Sequence, residues 1–255
     1  MIAWLVPLVI ACLALMGLGF WFQSRHSARR LSREVEQQLV SHLSSLGIRA
    51  QVQKRQGRVI RSREKDCQVT LRQLAHLRVW LRGIGSIEVW RERRKGKEEF
   101  STEDEMTFVV ALEPGLTLMR IPILTNLVPS KTPGDTAFEW RGFRWGRLPL
   151  LENRLKADET LNRRLQRQLN RGLPGDLRVR ALGSDRVGIT TGYDPQWLAS
   201  PEFIACVEDI AAHVRDYVTE RNIELAEEAP PQPLRRIVQG KHQPGRNENG
   251  LSPAG

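Results

Sequence analysis

The residues best suited to binding chemistry lie between Phe138 and Arg147, where FEWRGFRWGR interleaves aromatic rings with arginines. Trp140 and Trp145 can stack on bases or settle at a membrane interface, while Arg141 and Arg144 can contact phosphates. The same alternation also describes a half-buried strand with its rings inward and its guanidinium groups outward, and that plainer reading is favoured. Asp209, His213 and Asp216 fall at helical spacing. Positions three and four apart share a helix face, so the three side chains could hold a metal or orient a base. A solvated helix edge is the favoured reading of the three.

An acidic run comprises Glu98, Glu99, Glu103, Asp104 and Glu105. A hard cation needs several oxygen ligands. However, Arg91, Arg93, Arg94 and Lys95 precede the run closely enough to face it across a hairpin. His26, His42, His76, His213 and His242 are scattered, without HxxH or HExxH spacing. No Walker loop, GxSxG elbow or dinucleotide glycine pattern occurs, and Gly83-x-Gly85 lacks the third glycine. The sequence therefore assigns no catalytic residue, no metal ligand and no cofactor. Cys12 lies within an apolar run, and Cys67 and Cys206 form no CxxC. This usage suits a reducing compartment and leaves open a single Cys67–Cys206 bridge.

The elements that must position these residues read as an α+β domain, a mostly antiparallel sheet packed on about four helices. Leu31, Val35, Leu39, Leu43 and Leu46 recur at helical spacing, and Gly47 suits the helix stop. This amphipathic helix, residues 25–47, is expected to pack on its own domain. Ile48, Ala50 and Val52 alternate as a strand, and residues 53–66 are basic and turn-like. Cys67, Val69 and Leu71 alternate; Leu71, Leu74, Leu77 and Leu81 then take helical spacing up to Gly83. Ile87 to Trp90 open a strand, RERRKGKEEFSTEDE reads as a charged turn, and Met106 to Leu112 alternate as a strand. Pro114-Gly115 should turn into a partner strand at 116–123, with a loop at 125–136. The aromatic strand follows, its alternation slipping at Gly142 as at a β-bulge. Residues 151–171 are expected to be helical, with a hairpin pairing 177–179 with 187–189. Ser200-Pro201-Glu202 carries N-cap, N1 and first-turn signals for a helix buried through Phe203, Val207, Ile210, Val214 and Tyr217. Residues 29–82 and 151–222 share a helix–strand–strand–helix pattern without sequence identity. The domain is thus placed at 48–223, followed by a disordered tail at 224–255 rich in proline, glycine and charge.

Ahead of the domain, Ile2 to Phe22 form 21 residues without a charge. As a helix they span about 32 Å, enough for a hydrocarbon core of about 30 Å. Residues 1–24 are therefore expected to be a single transmembrane anchor, with Trp4 and Trp21 near its interfaces. No basic segment precedes the run and no A-x-A follows it, which argues against a cleaved signal. Arg25, Arg29, Arg30 and Arg33 flank the run on its C-terminal side alone. The positive-inside rule then puts the N-terminus outside and the domain in the cytoplasm.

The net charge of +10 is uneven. Residues 25–95 hold 18 Lys and Arg against 6 Asp and Glu, a net of +12; residues 96–255 hold 21 against 23, a net of −2. The excess sits beside the anchor, where anionic lipid headgroups are the nearest partner. The acidic balance of the remainder argues against nucleic acid. The expected role is a non-catalytic interaction or scaffold domain held at the cytoplasmic membrane face, with a protein partner. An anionic-lipid or nucleic-acid binding module is the alternative, and a membrane-tethered enzyme without a recognisable motif is the third.

Overall fold

A computed structural model describes residues 26–55, 59–64, 67–96, 100–129, 138–142, 151–171, 177–198 and 200–228. The expected anchor at 1–24, Arg25 beside it, and the tail beyond Glu228 lie outside the described residues. Among the described residues, no helix is long and apolar enough to cross a membrane.

The α+β class holds. The strands are β1 (Ala50–Val52), β2 (Val59–Glu64), β3 (Cys67–Leu81), β4 (Ile84–Lys95), β5 (Phe100–Val110), β6 (Leu124–Pro129), β7 (Phe138–Gly142), β8 (Leu177–Ala181) and β9 (Val187–Gly192). Eight run in the order β1-β3-β4-β5-β9-β8-β6-β7, and β2 joins the outer edge of β3 beside β1. Every pairing is antiparallel. The helices are α1 (residues 26–45), α2 (Leu151–Ala157), α3 (Glu159–Asn170), the single turn α4 (Pro195–Leu198) and α5 (Pro201–Glu228). They cover one face of the sheet. Phe203 of α5 meets Phe108 of β5 edge-on at 6.0 Å, and Leu39, Leu43, Leu77, Ile87, Ile189, Leu161 and Leu165 join the same buried cluster.

Helix α1 forms as its spacing predicts, and Val35, Leu39 and Leu43 are buried in this core. Gly47 ends the helix at φ +72°, a left-handed conformation that glycine adopts without cost. The cap of α5 is also as expected, with the Phe203 N–H donating to Ser200 Oγ at 3.3 Å. The β8–β9 hairpin forms. The helix runs to Glu228, so the expected boundary at 224 falls inside it.

Several elements differ from expectation. Residues 71–81 are strand, not helix. The register of β3 on β4 jumps between Gln73 and Ala75, leaving Leu74 as an extra residue. Such a bulge shifts the apolar phase by one, which turns a period of two into the spacing that imitates a helix. With that helix gone, the repeated helix–strand–strand–helix pattern does not hold. The basic stretch 53–66 contains β2, and the charged turn is mostly ladder, β4 continuing to Lys95 and β5 starting at Phe100. Arg91 pairs with Asp104 across this ladder, a contact that sequence periodicity does not register. The strand expected at 116–123 does not form, because β5 takes β9 as its second neighbour. Instead the Leu118 N–H donates to the Ser184 carbonyl at 2.7 Å. The expected loop at 125–136 opens with β6, whose Pro129 sits at the strand end where a missing N–H is tolerated. Residues 151–171 split at Asp158, whose carboxylate caps α3 by accepting the Leu161 N–H at 2.9 Å.

Strand β7 closes one edge of the sheet. Helix side chains occupy its outward N–H groups: Phe138 donates to Gln166 Oε1 at 3.2 Å, and Gly142 to Glu152 Oε2 at 2.6 Å. A Cβ on Gly142 would stand 2.5 Å from that carboxylate oxygen. The glycine therefore admits the Glu152 carboxylate; the bulge expected at this position concerns residues 143–145, outside the described residues.

Candidate interaction face

Alternation along a strand sends successive side chains to opposite faces. The positions next to the buried row therefore face away from the helices. Their register forms a continuous line: His76 opposite Glu88, Glu88 opposite Thr107, Thr107 opposite Thr190, Thr190 opposite Arg178, Arg178 opposite Asn126, and Asn126 opposite Arg141. Seven polar residues thus cross the sheet on its open side.

These side chains hold one another in place. Glu88 is 7% exposed and accepts the Trp90 indole N–H at 3.0 Å and an Arg186 guanidinium at 3.5 Å, with His76 Nε2 at 3.9 Å. Glu105 accepts Arg178 at 2.6 Å and Arg180 at 3.4 Å. The Thr107 and Thr190 hydroxyls, both buried beneath these longer chains, lie 3.0 Å apart. Gly188 permits this closeness, since a Cβ there would meet Thr107 Cγ2 at 2.7 Å. Four buried polar atoms of this face have no hydrogen-bond partner among the described residues: His76 Nδ1, Asn126 Oδ1, Arg178 Nε and Arg180 Nε. Leaving such a group unpaired costs about 1–3 kcal/mol. The row thus sets fixed donors and acceptors side by side across the sheet.

The residues singled out from the sequence are dispersed. Trp140 is 1% exposed and donates its indole N–H to Asn162 Oδ1 at 2.9 Å. Its ring is core and is no stacking platform, which corrects the aromatic and basic surface expected around it. Arg141 does face outward and pairs with Glu139. Arg144 and Trp145 lie outside the described residues. Arg29, Arg30 and Arg33 are exposed on α1, with Arg30 bound to Glu34 at 3.0 Å.

The Asp209–His213–Asp216 face does not act together. His213 turns to Asp158 at 3.0 Å and Asp209 to Arg164 at 2.6 Å. Of the acidic run, Asp104 meets its basic neighbour as expected, clamped by Arg91 through two bonds of 2.6 Å, whereas Glu105 turns to Arg178 and Arg180, Glu103 stands opposite Glu92, and Glu98 and Glu99 lie outside the described residues. No group of three His, Cys, Asp or Glu side chains converges to hold a metal among the described residues. Cys67 and Cys206 are free thiols, and burial pushes the Cys206 thiol up to about 11. A groove of ≈ 560 Å³ lies between Leu112, Pro114 and Leu116 on one side and Arg215, Asp216 and Thr219 of α5 on the other. Another, of ≈ 430 Å³, lies between α1 and Val52. Neither is lined by His76 or His213.

Sequence reasoning missed the open face because its members come from strands far apart in the chain. The clue lay in the ladder order, which no spacing records. The chain matches no protein-family model, no curated protein and no solved structure.

Proposed function

We propose that the chain is a membrane-tethered interaction domain, without catalytic chemistry of its own, that presents the open face of its sheet to a protein partner in the cytoplasm. The observation that carries this reading is the seven-residue polar line with its orphaned buried donors and acceptors. A partner that supplies complementary groups there relieves a standing desolvation cost, which favours association over further exposure to water. The apolar run Ile2–Phe22 and the arginines behind it support the tether and its orientation.

The test is a photo-crosslinking residue placed at Arg178, compared with one at Arg163, an exposed position on the helix side. Both are read in native membranes. A discrete adduct at 178 that is absent at 163, and lost when Arg180→Glu is added, supports the reading. Equal adducts at both positions, or none at 178, refute it.

A further inference from the structure

The cations of the long strands meet at one end of the sheet. Arg72 of β3 stands directly opposite Arg91 of β4, and the next pairs on the same face are Thr70–Arg93 and Gln68–Lys95. Like charges directly opposed in a ladder repel. Asp104 answers Arg91. Burial, and then the neighbouring Arg93, Arg55 and Arg91, hold the Arg72 guanidinium below the ordinary arginine value. Along β2 the register adds Arg61 opposite Thr70 and Arg63 opposite Gln68. At the tip, Phe100 pairs with Lys95 and is 66% exposed. Glu92 and Glu103 stand opposite each other on the other face of the ladder, which leaves this face basic.

That end is also where the chain enters the domain. The Arg49 carbonyl, just past α1, accepts the N–H of Trp80 late in β3 at 3.1 Å. Back along α1, Glu36 binds Arg55 at 3.1 Å, and Gln38 accepts the Tyr193 hydroxyl at 3.5 Å. The Tyr193 N–H in turn reaches the carbonyl of Asp104, in the Arg72–Arg91 row, at 2.7 Å. Travelling from the end of α1 toward its start thus follows β3 from Trp80 back toward Cys67. From Gln38 to residue 26, twelve more residues of helix add about 18 Å. The five residues of β3 from Arg72 to Cys67 add about 17 Å. Residue 26 and the hairpin tips therefore finish at about the same level, and the expected anchor ends at Phe22, four residues before that.

We propose that this basic end is a second membrane contact, at which Arg72, Arg93, Lys95 and Phe100 rest on anionic phospholipid headgroups beside the anchor. The inference rests on the tether proposed above. Cations surrounding one exposed ring suit an interface of phosphates over acyl chains, and the anchor holds this end within reach of it.

The test uses the full chain carrying Cys12→Ala, with a fluorophore on Cys67 near the tip, in nanodiscs containing headgroup-nitroxide lipid. Quenching should be strong in discs rich in phosphatidylglycerol, weak in phosphatidylcholine discs, and lost in high salt. Arg93→Glu with Lys95→Glu, both at exposed positions, should lower the docked-to-undocked ratio by at least roughly thirtyfold, about fivefold for each basic residue lost before the repulsion of the added carboxylates. Arg93→Lys should retain docking. Quenching that ignores lipid charge, or that survives the double reversal, overturns the contact while leaving the tether standing. A chain that fails to co-migrate with discs overturns the tether, and the contact with it. Salt-sensitive binding of duplex DNA by the disc-bound chain, without lipid-dependent quenching, overturns it in favour of nucleic acid.

Discussion

Helix α1 should be inseparable from the domain it precedes. Val35, Leu39 and Leu43 are 5%, 0% and 0% exposed, and they pack in the same cluster as Leu77 and Ile87. Burying each is worth about 1.5–3 kcal/mol, so removing the helix forfeits roughly 5–9 kcal/mol. Whole domains are stable by only about 5–15 kcal/mol. A fragment of residues 48–228 should therefore fail to fold cooperatively, while 26–228 should unfold in a single transition. Leu39→Ala within 26–228 should cost about 2–5 kcal/mol. With a urea dependence of about 2–3 kcal/mol per molar, its midpoint should fall by about 1–2 M. Urea titration followed by tryptophan fluorescence reads all three, because Trp140 is buried. A 48–228 fragment that unfolds cooperatively at the midpoint of 26–228 would refute the reasoning and make α1 a mere connector.

Gly142→Ala should displace the Glu152 carboxylate from a charge-assisted bond worth about 1.5–3 kcal/mol, seen as a lowered thermal midpoint. Asp158 is held below its ordinary value of 3.8, first by the Leu161 N–H and also by His213. Its contribution is therefore present above that value and lost as pH falls through the depressed one. Thermal midpoints measured from about pH 5 to about pH 2 should decline less steeply in Asp158→Asn than in the wild type. A thiol reagent should modify Cys67 in the folded chain and reach Cys206 only under denaturant, as mass spectrometry would show. A cysteine placed in residues 229–255 should label only after cells are permeabilised; labelling in intact cells would put the domain outside.

The legible parts of the sequence are those where one face is apolar and the period is uninterrupted. Helices α1 and α5, the Met106–Val110 half of β5, the start of β9, and the caps at Gly47 and Ser200 all meet that condition. Leu71 to Leu81 misled because one extra residue at Leu74 changes the apparent period without changing the backbone class. Arg91 to Lys95 misled because a charged run reads locally as a turn, while its ladder partners, Phe100 to Asp104, lie outside any local window. Trp140 was legible as one face of a strand, but its partner Asn162 comes from a helix 22 residues on. The open face was illegible for the same reason. Its row joins residues from 76 to 190 that become neighbours only when β9 inserts between β5 and β8.

The helix side chains set along β7 have a consequence for how the chain meets other chains. An unprotected edge strand is a template for sheet extension and aggregation. With the Phe138 and Gly142 amides already bonded to Gln166 and Glu152, an incoming strand would have to displace both acceptors, one of them a carboxylate. The opposite edge is divided between β1, three residues long, and β2. Among the described residues, the sheet therefore offers copies of the chain no long continuous edge on which to polymerise. The edges of the sheet are thus guarded by helix side chains on one side and by shortness on the other.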